Sequence, residues 1–471
     1  MKKKYALIFL ATFLLQNAFS QQIVLKKGMV MEGLTLHDSI PDTFSLYLPT
    51  TFSTNKEWPL LLIVDLKGRE KQALSMFVQS AEKEGYVLAA PQLSDTVALS
   101  KSMVKTRRAL ERVLSMLPIH NSRIYAAGAG SGSRFANLVP IFMKEVKGAV
   151  SIGASVANTD LLSVKRPFHF IGMVNENNYN YTEMLTTEKI LDRYRFPNQV
   201  LIYSMNKEWP DGKYLKKAMQ LFTLAAMGRK LIPKDSLYVE KAFKEDVSKI
   251  NQFRNSGKLI LAEQYLGEMM SIYGAHKNLD SLRLVQREVR RDKLFRSMRR
   301  AENATLLKES LLKEDYLYYI EEDVMTHNFN NLGWWNYQMT EINKFIKGVN
   351  AHEKKMGNRL LGYVNALVED NIDIVRSEEL IDEDALAFLY MLKTIVEPQN
   401  FDFYLELISL SAKNEDFGTA LFYLEEALEK GFEDKDKLYG LENTALLRIN
   451  PDFNKLVFKH LKDARYEIIE E

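Results

Sequence analysis

Short apolar runs rich in β-forming residues alternate with amphipathic helical stretches through the first half of this 471-residue chain, and then they stop. The runs are Phe44–Leu48, Pro59–Asp65, Tyr86–Ala90, Arg123–Ala127, Ala149–Ile152, Phe168–Val174 and Gln199–Ser204. Between most of them the spacing predicts helices, over Glu70–Lys83, Ser100–Met116, Arg134–Lys144, Glu183–Tyr194 and Lys213–Met227. Continuous apolar strands separated by helices imply a mostly parallel sheet buried on both faces. After Pro233 no strand pattern remains, and Lys, Glu and Leu recur at helical period. The fold class read from the pattern is therefore α/β over residues 21–232, followed by an all-α, helical-repeat-like domain over residues 233–471. Ala262, Leu266 and Met269 share one helical face. Tyr404, Leu407, Ala420, Leu424 and Ala427 recur at the spacing of a tetratricopeptide helix pair, in which a small residue lets two helices approach. Gly431-Phe432 breaks that pair, and Thr444–Val457 reads as the next helical unit.

The first twenty residues have a separate logic. Lys2, Lys3 and Lys4 precede an apolar run, Tyr5–Leu15, and Ala18-Phe19-Ser20 places small residues before a cleavage point. That is the layout of a secretory signal peptide, and its apolar run is short for a membrane span. Removing residues 1–20 takes the basic residues from 63 to 60 against 61 acidic ones, a net charge of −1. No basic excess is left to argue for a nucleic-acid partner. The chain has no cysteine, which excludes disulfides, thiolate metal sites and a cysteine nucleophile. No second hydrophobic span follows, so the expected product is soluble and exported, most simply periplasmic in a two-membrane bacterium. Nothing in the sequence calls for a cofactor or a metal.

The stretch "RIYAAGAGSGSRFA" (Arg123–Ala136) reads as a strand, a glycine-rich turn and a helix. A strand, a Gly-x-Ser-x-Gly turn and a helix make the nucleophile elbow of α/β-hydrolases. Here the frame is Gly128-Ala129-Gly130-Ser131-Gly132, with glycine at the central position. Around it, residues about 43–230 resemble the esterase branch of the α/β-hydrolase superfamily, which includes feruloyl-esterase-like enzymes. "FSLYLPTTF" and "WPLLLIVDLKGRE" are similar to its opening strands and oxyanion loop, and "AEKEGYVLAAP" to its next helix and strand. "FIGMVNENNYNY" is similar to the strand and loop that carry the acid, and "SMNKEWPDGKYLKKAMQLF" to the loop that carries the histidine. The resemblance implies a nucleophile at Gly130, an acid at or near Asn178 and a base at Lys207, so all three positions read as substituted.

One part of that reading needs no resemblance. A hydrolase with its triad in this chain order needs a histidine after the last strand, and Gln199–Ile232 contains none. A serine hydroxyl without a base is a poor nucleophile. Ser131 is the rescue candidate, weighed against a hydroxyl that merely bonds backbone at a helix start. Lys207 could act as a base only if desolvated. A nucleotide cradle at Gly128, Gly130 and Ser133 lacks both the first-strand position and the acidic residue that such a motif requires.

The expectation is thus a degenerate hydrolase that binds a protein or peptide through its helical half. Its old pocket would be free for an acyl or carbohydrate ligand. The competing expectation is an active esterase or peptidase using Ser131. Candidate binding aromatics are Trp209, as a wall of the pocket, and Trp334, Trp335 and Tyr337 in the helical half. The basic stretch Arg283–Arg300 is read as a solvated helix face, with an acidic partner as the alternative.

Overall fold

The computed structural model describes residues 25–37, 40–204, 209–462, 464 and 465. The expected export signal, residues 1–20, and Lys207 lie outside them. By their internal contacts the described residues divide into two compact units, those up to Asn175 with 183–290, and 176–182 with those from Arg291 on.

The first unit is built on one eight-stranded sheet. Its strands are β1 (Val30–His37), β2 (Ile40–Tyr47), β3 (Trp58–Val64), β4 (Val87–Pro91), β5 (Ile119–Ala129), β6 (Gly148–Ile152), β7 (His169–Asn175) and β8 (Asn198–Tyr203). They lie in the order β1-β2-β4-β3-β5-β6-β7-β8. β2 runs antiparallel to β1 and β4, and every pair from β4 to β8 is parallel. Strands β3, β4, β6, β7 and β8 are buried along their whole length, which is why they read as unbroken apolar runs.

Helices α1 (Glu70–Glu84), α2 (Leu99–Met116), α3 (Ser131–Phe142), α4 (Tyr181–Arg193) and α5 (Gly212–Gly228) follow strands β3, β4, β5, β7 and β8. Right-handed crossovers leading leftward from β3 and rightward from β4 and β5 put α1 on one face and α2 and α3 on the other. α5 packs against α1. The sheet and its helices have the architecture of an α/β-hydrolase, as the resemblance implies.

Strands end at Tyr203, yet this unit runs on to Arg290. Helices α6 (Ser236–Asn255) and α7 (Leu259–Tyr273) pack together, and α7 lies on β8. Gln264 donates from its amide nitrogen to the Val200 carbonyl at 2.7 Å, and Ala262, Leu266 and Met269 are buried. An edge strand exposes unpaired backbone groups, and α7 covers that edge. By internal contacts, residues 233–290 group with the sheet, beyond the expected border at 232. Helix α8 (Asp280–Arg291) closes it.

The second unit is helical. It contains α9 (Lys293–Thr326), α10 (Leu332–Lys347), α11 (Ala351–Arg376), α12 (Glu383–Val396), α13 (Phe401–Lys413), α14 (Phe417–Glu429), two short helices, α15 (Lys435–Tyr439) and α16 (Ala445–Arg448), and α17 (Pro451–Leu461). α13 packs on α14, and Tyr404, Leu407, Ala420, Leu424 and Ala427 are all buried. The pair ends at Gly431, whose φ of +99° suits a residue without a β-carbon. Asn450 caps α17 just before Pro451, which divides Thr444–Val457 into two helices. No helix among the described residues is long and apolar enough to cross a membrane.

Candidate active site

Gly130 occupies the turn between β5 and α3 with φ +55° and ψ −123°. This is a region that a β-carbon strains, so glycine suits the turn. The amide of Gly130 donates to Ile152 O at 2.9 Å, and the Ser133 hydroxyl donates to Gly130 O at 2.7 Å. The flanking glycines are required by contact. A β-carbon on Gly128 would stand 2.2 Å from Gly132 O, and one on Gly132 would stand 2.6 Å from Val64 O. The frame thus lets α3 start hard against β5 and β3, with its N-terminus at the C-terminal end of the sheet. There the loop after β3 begins with Asp65, whose carboxylate accepts from the Lys67 amide at 2.8 Å.

Ser131 is the first residue of α3 and is exposed. No hydrogen bond of its hydroxyl is found among the described residues; Ser133, two residues on, makes the backbone bond expected of a helix-start hydroxyl. Asn178 accepts from the Asn180 amide at 2.8 Å through its side chain, and its carbonyl accepts from Tyr181 N at 2.9 Å. It therefore shapes the turn into α4. The carboxylate nearest the end of β7 is Glu176, which the reading of "NENNYNY" passed over in favour of Asn178. Glu176 is buried, ion-paired to Lys355, and its carbonyl accepts from Arg359 at 2.8 Å. Arg359 in turn donates twice to Glu309, at 2.8 and 2.6 Å, with both side chains buried. The segment that follows β7 is thus spent on an ionic network inside the helical unit. A carboxylate directly after a strand was the available signal; its partner, nearly 180 residues away, left none.

Four of the histidines with described side chains, His120, His169, His276 and His327, are engaged elsewhere. His169 opens β7 and pairs through β6 with Tyr125, five residues before Gly130. It therefore sits roughly 16 Å down the strand direction from the elbow. It is buried, bonds Gln199 at 2.5 Å, and burial pushes its imidazole down to about 4. His120 lies at the start of β5, 3.3 Å from Leu231 O. His276 bonds Leu224 O at 2.9 Å, and His327 bonds Asp382 at 2.8 Å.

Among the aromatic candidates, Trp209 is partly buried and meets Phe77 of α1 edge-on at 6.3 Å. Trp335 has no exposed surface; its indole donates to Asp323 at 2.8 Å, so it is a core residue and not a binding one. The physical reason is helix phase, since adjacent residues on α10 point about 100° apart. Trp334 is partly buried and Tyr337 is 58% exposed. One further grouping was not legible in sequence. Glu425, Glu429 and His460 bring one ligand atom each within 4.8 Å of one another, and Glu425 also pairs with Lys459 at 2.8 Å.

No protein-family model matches the chain, and no curated protein matches it in sequence. Solved structures that match part of the chain include esterases and peptidases. A thermostable esterase is 14% identical with a TM-score of 0.33, over 39% of this chain and 58% of its own length. An esterase of the fungus Rhizomucor miehei is 13% identical with a TM-score of 0.36, over 45% of this chain and 87% of its own. Dipeptidyl peptidase 4 of Porphyromonas gingivalis is 11% identical with a TM-score of 0.32, over 41% and 35%. What the site does has to be read from this chain's own residues.

Proposed function

We propose that this protein is an exported, hydrolase-fold protein without hydrolytic chemistry, which works as a binding or scaffold module through its helical unit. The observation that carries the reading is the elbow itself. The turn that would present a nucleophile holds Gly130, which has no side chain to attack with. The loop after β8 supplies no histidine in the sequence, and Asn178 serves a backbone turn. A hydroxyl at Ser131 with no base beside it would stay protonated at neutral pH.

Support for binding comes from the helical unit. Tyr337 and Tyr318 are more than half exposed, and Tyr319 meets the partly buried Trp334 at 4.6 Å, the rings tilted by 51°. Aromatic side chains placed this way give large contact area at low entropy cost, as peptide-binding surfaces require. The hydrolase-like unit then serves as a rigid platform, or takes an acyl or carbohydrate ligand. Export rests on residues 1–20, and N-terminal sequencing of the mature protein should begin at Gln21.

Two assays test the reading together. The mature chain and its Ser131→Ala variant should hydrolyse 4-nitrophenyl acetate at the same rate, that of the folded protein's background. Peptides selected on the wild-type chain from a random display library should lose at least about tenfold in affinity on Tyr337→Ala, the effect of one interface anchor. Turnover that vanishes in the Ser131 variant would replace this reading with an active esterase.

A further inference from the structure

At the end of β8 the first unit holds a cavity of about 540 Å³. β8 is three strands from β5, about 14 Å across the sheet. The cavity is lined by the last residues of β8, the first turns of α5, one face of α6 and the start of α7. Five lysines face it, against two acids.

Accounting for these charges leaves a positive remainder. Lys213 lies 3.3 Å from Asp211, and Lys216 lies 3.5 Å from Glu245. Asp246 is buried and fully engaged. It pairs with Lys217 and accepts from Tyr265 at 2.7 Å and Tyr273 at 2.8 Å. Lys249 is different. Its ammonium stands 4.4 Å from the Tyr214 ring, 4.7 Å from Tyr265 and 5.6 Å from Phe253, and it has no ion pair or hydrogen bond among the described residues. Three aromatic faces usually hold a ligand's cation. Here the protein supplies the cation itself, which leaves the vacant role to an anion. Burial lowers this ammonium to about 8, as expected of a desolvated cation whose carboxylate neighbour is already taken.

The start of α7 adds to the same field. Lys258 is its N-cap, makes no side-chain capping bond, and no acid stands in the first turn. A lysine at a helix N-terminus has the wrong sign for the helix dipole, and an anion there would satisfy both. Leu261 from that first turn and Ile202 add apolar wall. The volume falls within the range of small-molecule sites.

We propose that this cavity binds a small organic anion, with its carboxylate or phosphate held by the Lys249 ammonium and the start of α7, and its apolar body against Tyr214, Phe253 and Tyr265. None of the residues lining the cavity belongs to the turn between β5 and α3.

The test is fluorine NMR titration of the full mature chain with 4-fluorobenzoate, with 4-fluorobenzamide as the neutral isostere and inorganic phosphate as the anion without a body. Saturable 4-fluorobenzoate binding is expected, weakened roughly tenfold or more in Lys249→Met, several-fold in Lys258→Met, and unchanged in the exposed control Lys101→Met. Lys249→Arg should retain most of it. 4-Fluorobenzamide and phosphate should both bind at least about tenfold more weakly than 4-fluorobenzoate. Thermal melts establish that each variant is folded; if Lys249→Met is not, Lys258→Met and the isostere decide. Absence of saturation up to about 20 mM 4-fluorobenzoate, or equal binding by wild type and both folded methionine variants, would overturn the proposal. Phosphate binding as tightly as 4-fluorobenzoate would overturn the assignment of an organic body.

Discussion

Gly130 holds a turn conformation that suits a residue without a side chain. Its φ of +55° and ψ of −123° are strained for any residue with a β-carbon, at about 1–3 kcal/mol. Gly130→Ser should therefore lower stability by that amount in denaturant titration, and it should not create ester turnover, since no histidine in the loop after β8 could activate the hydroxyl. His169 makes a second residue-scale case. Its imidazole is buried neutral, with its ordinary value near 6.5 lowered to about 4. A group depressed in this direction for a base stabilises the fold fully above the unfolded value, and that contribution is lost as pH falls from about 6.5 to about 4. The amount is roughly 3 kcal/mol. His169→Gln should flatten the acid limb of the stability profile across that window. Sequence showed Gly130 because a glycine frame is local. It could not show that Trp335 is buried while Tyr337 is exposed, because that depends on how α10 is rotated against Asp323 and its neighbours.

At the scale of elements, the β5–α3 junction is fixed by backbone approach. Gly128→Ala would place a β-carbon 2.2 Å from Gly132 O, so the strand and helix must separate. The expected cost is above about 4 kcal/mol, in the range kept for strain and overpacking at special sites. The packing of α7 against α4 brings two carboxyls together. Burial raises the Glu188 carboxyl, and burial with the neighbouring charge of Glu188 raises Glu268 well above the usual carboxylate range. For a carboxyl raised in the fold, stability is present at low pH and is lost as pH rises from the unfolded value through the folded one. Glu268→Gln should therefore make the protein more stable than wild type above the ordinary carboxylate range, measured by urea midpoints across pH.

Strands β3, β4, β7 and β8 were legible because each is a continuous apolar run. β1 was not, since Glu32, Gly33 and Thr35 interrupt it and its register shifts along β2. The first four residues of β5 were missed for the same reason, as His120, Asn121 and Ser122 carry no strand signal.

At the scale of the whole molecule, the chain leaves the first unit after Asn175, contributes residues 176–182 to the helical unit, and returns at Glu183. Within the helical unit that segment is held by Lys313, which donates to Tyr179 O at 2.8 Å, and by the Arg359 network. Glu309 is fully buried beneath Arg359 and also lies 3.0 Å from Lys313. Removing one partner of a buried pair leaves an uncompensated charge, at about 3–5 kcal/mol. Arg359→Met should cost that much in the unfolding of the helical unit, and the double variant with Glu309→Leu should recover part of it. None of this was readable from the chain, since residues 176, 309 and 359 are joined only by packing.

The proposed loss of chemistry at the elbow is tested most directly by labelling the mature protein with a serine-directed fluorophosphonate and locating any adduct by mass spectrometry, beside an active esterase. The expected result is a folded protein with no serine adduct. A stoichiometric adduct on Ser131 would contradict it, and would make the exposed hydroxyl at the start of α3 a working nucleophile.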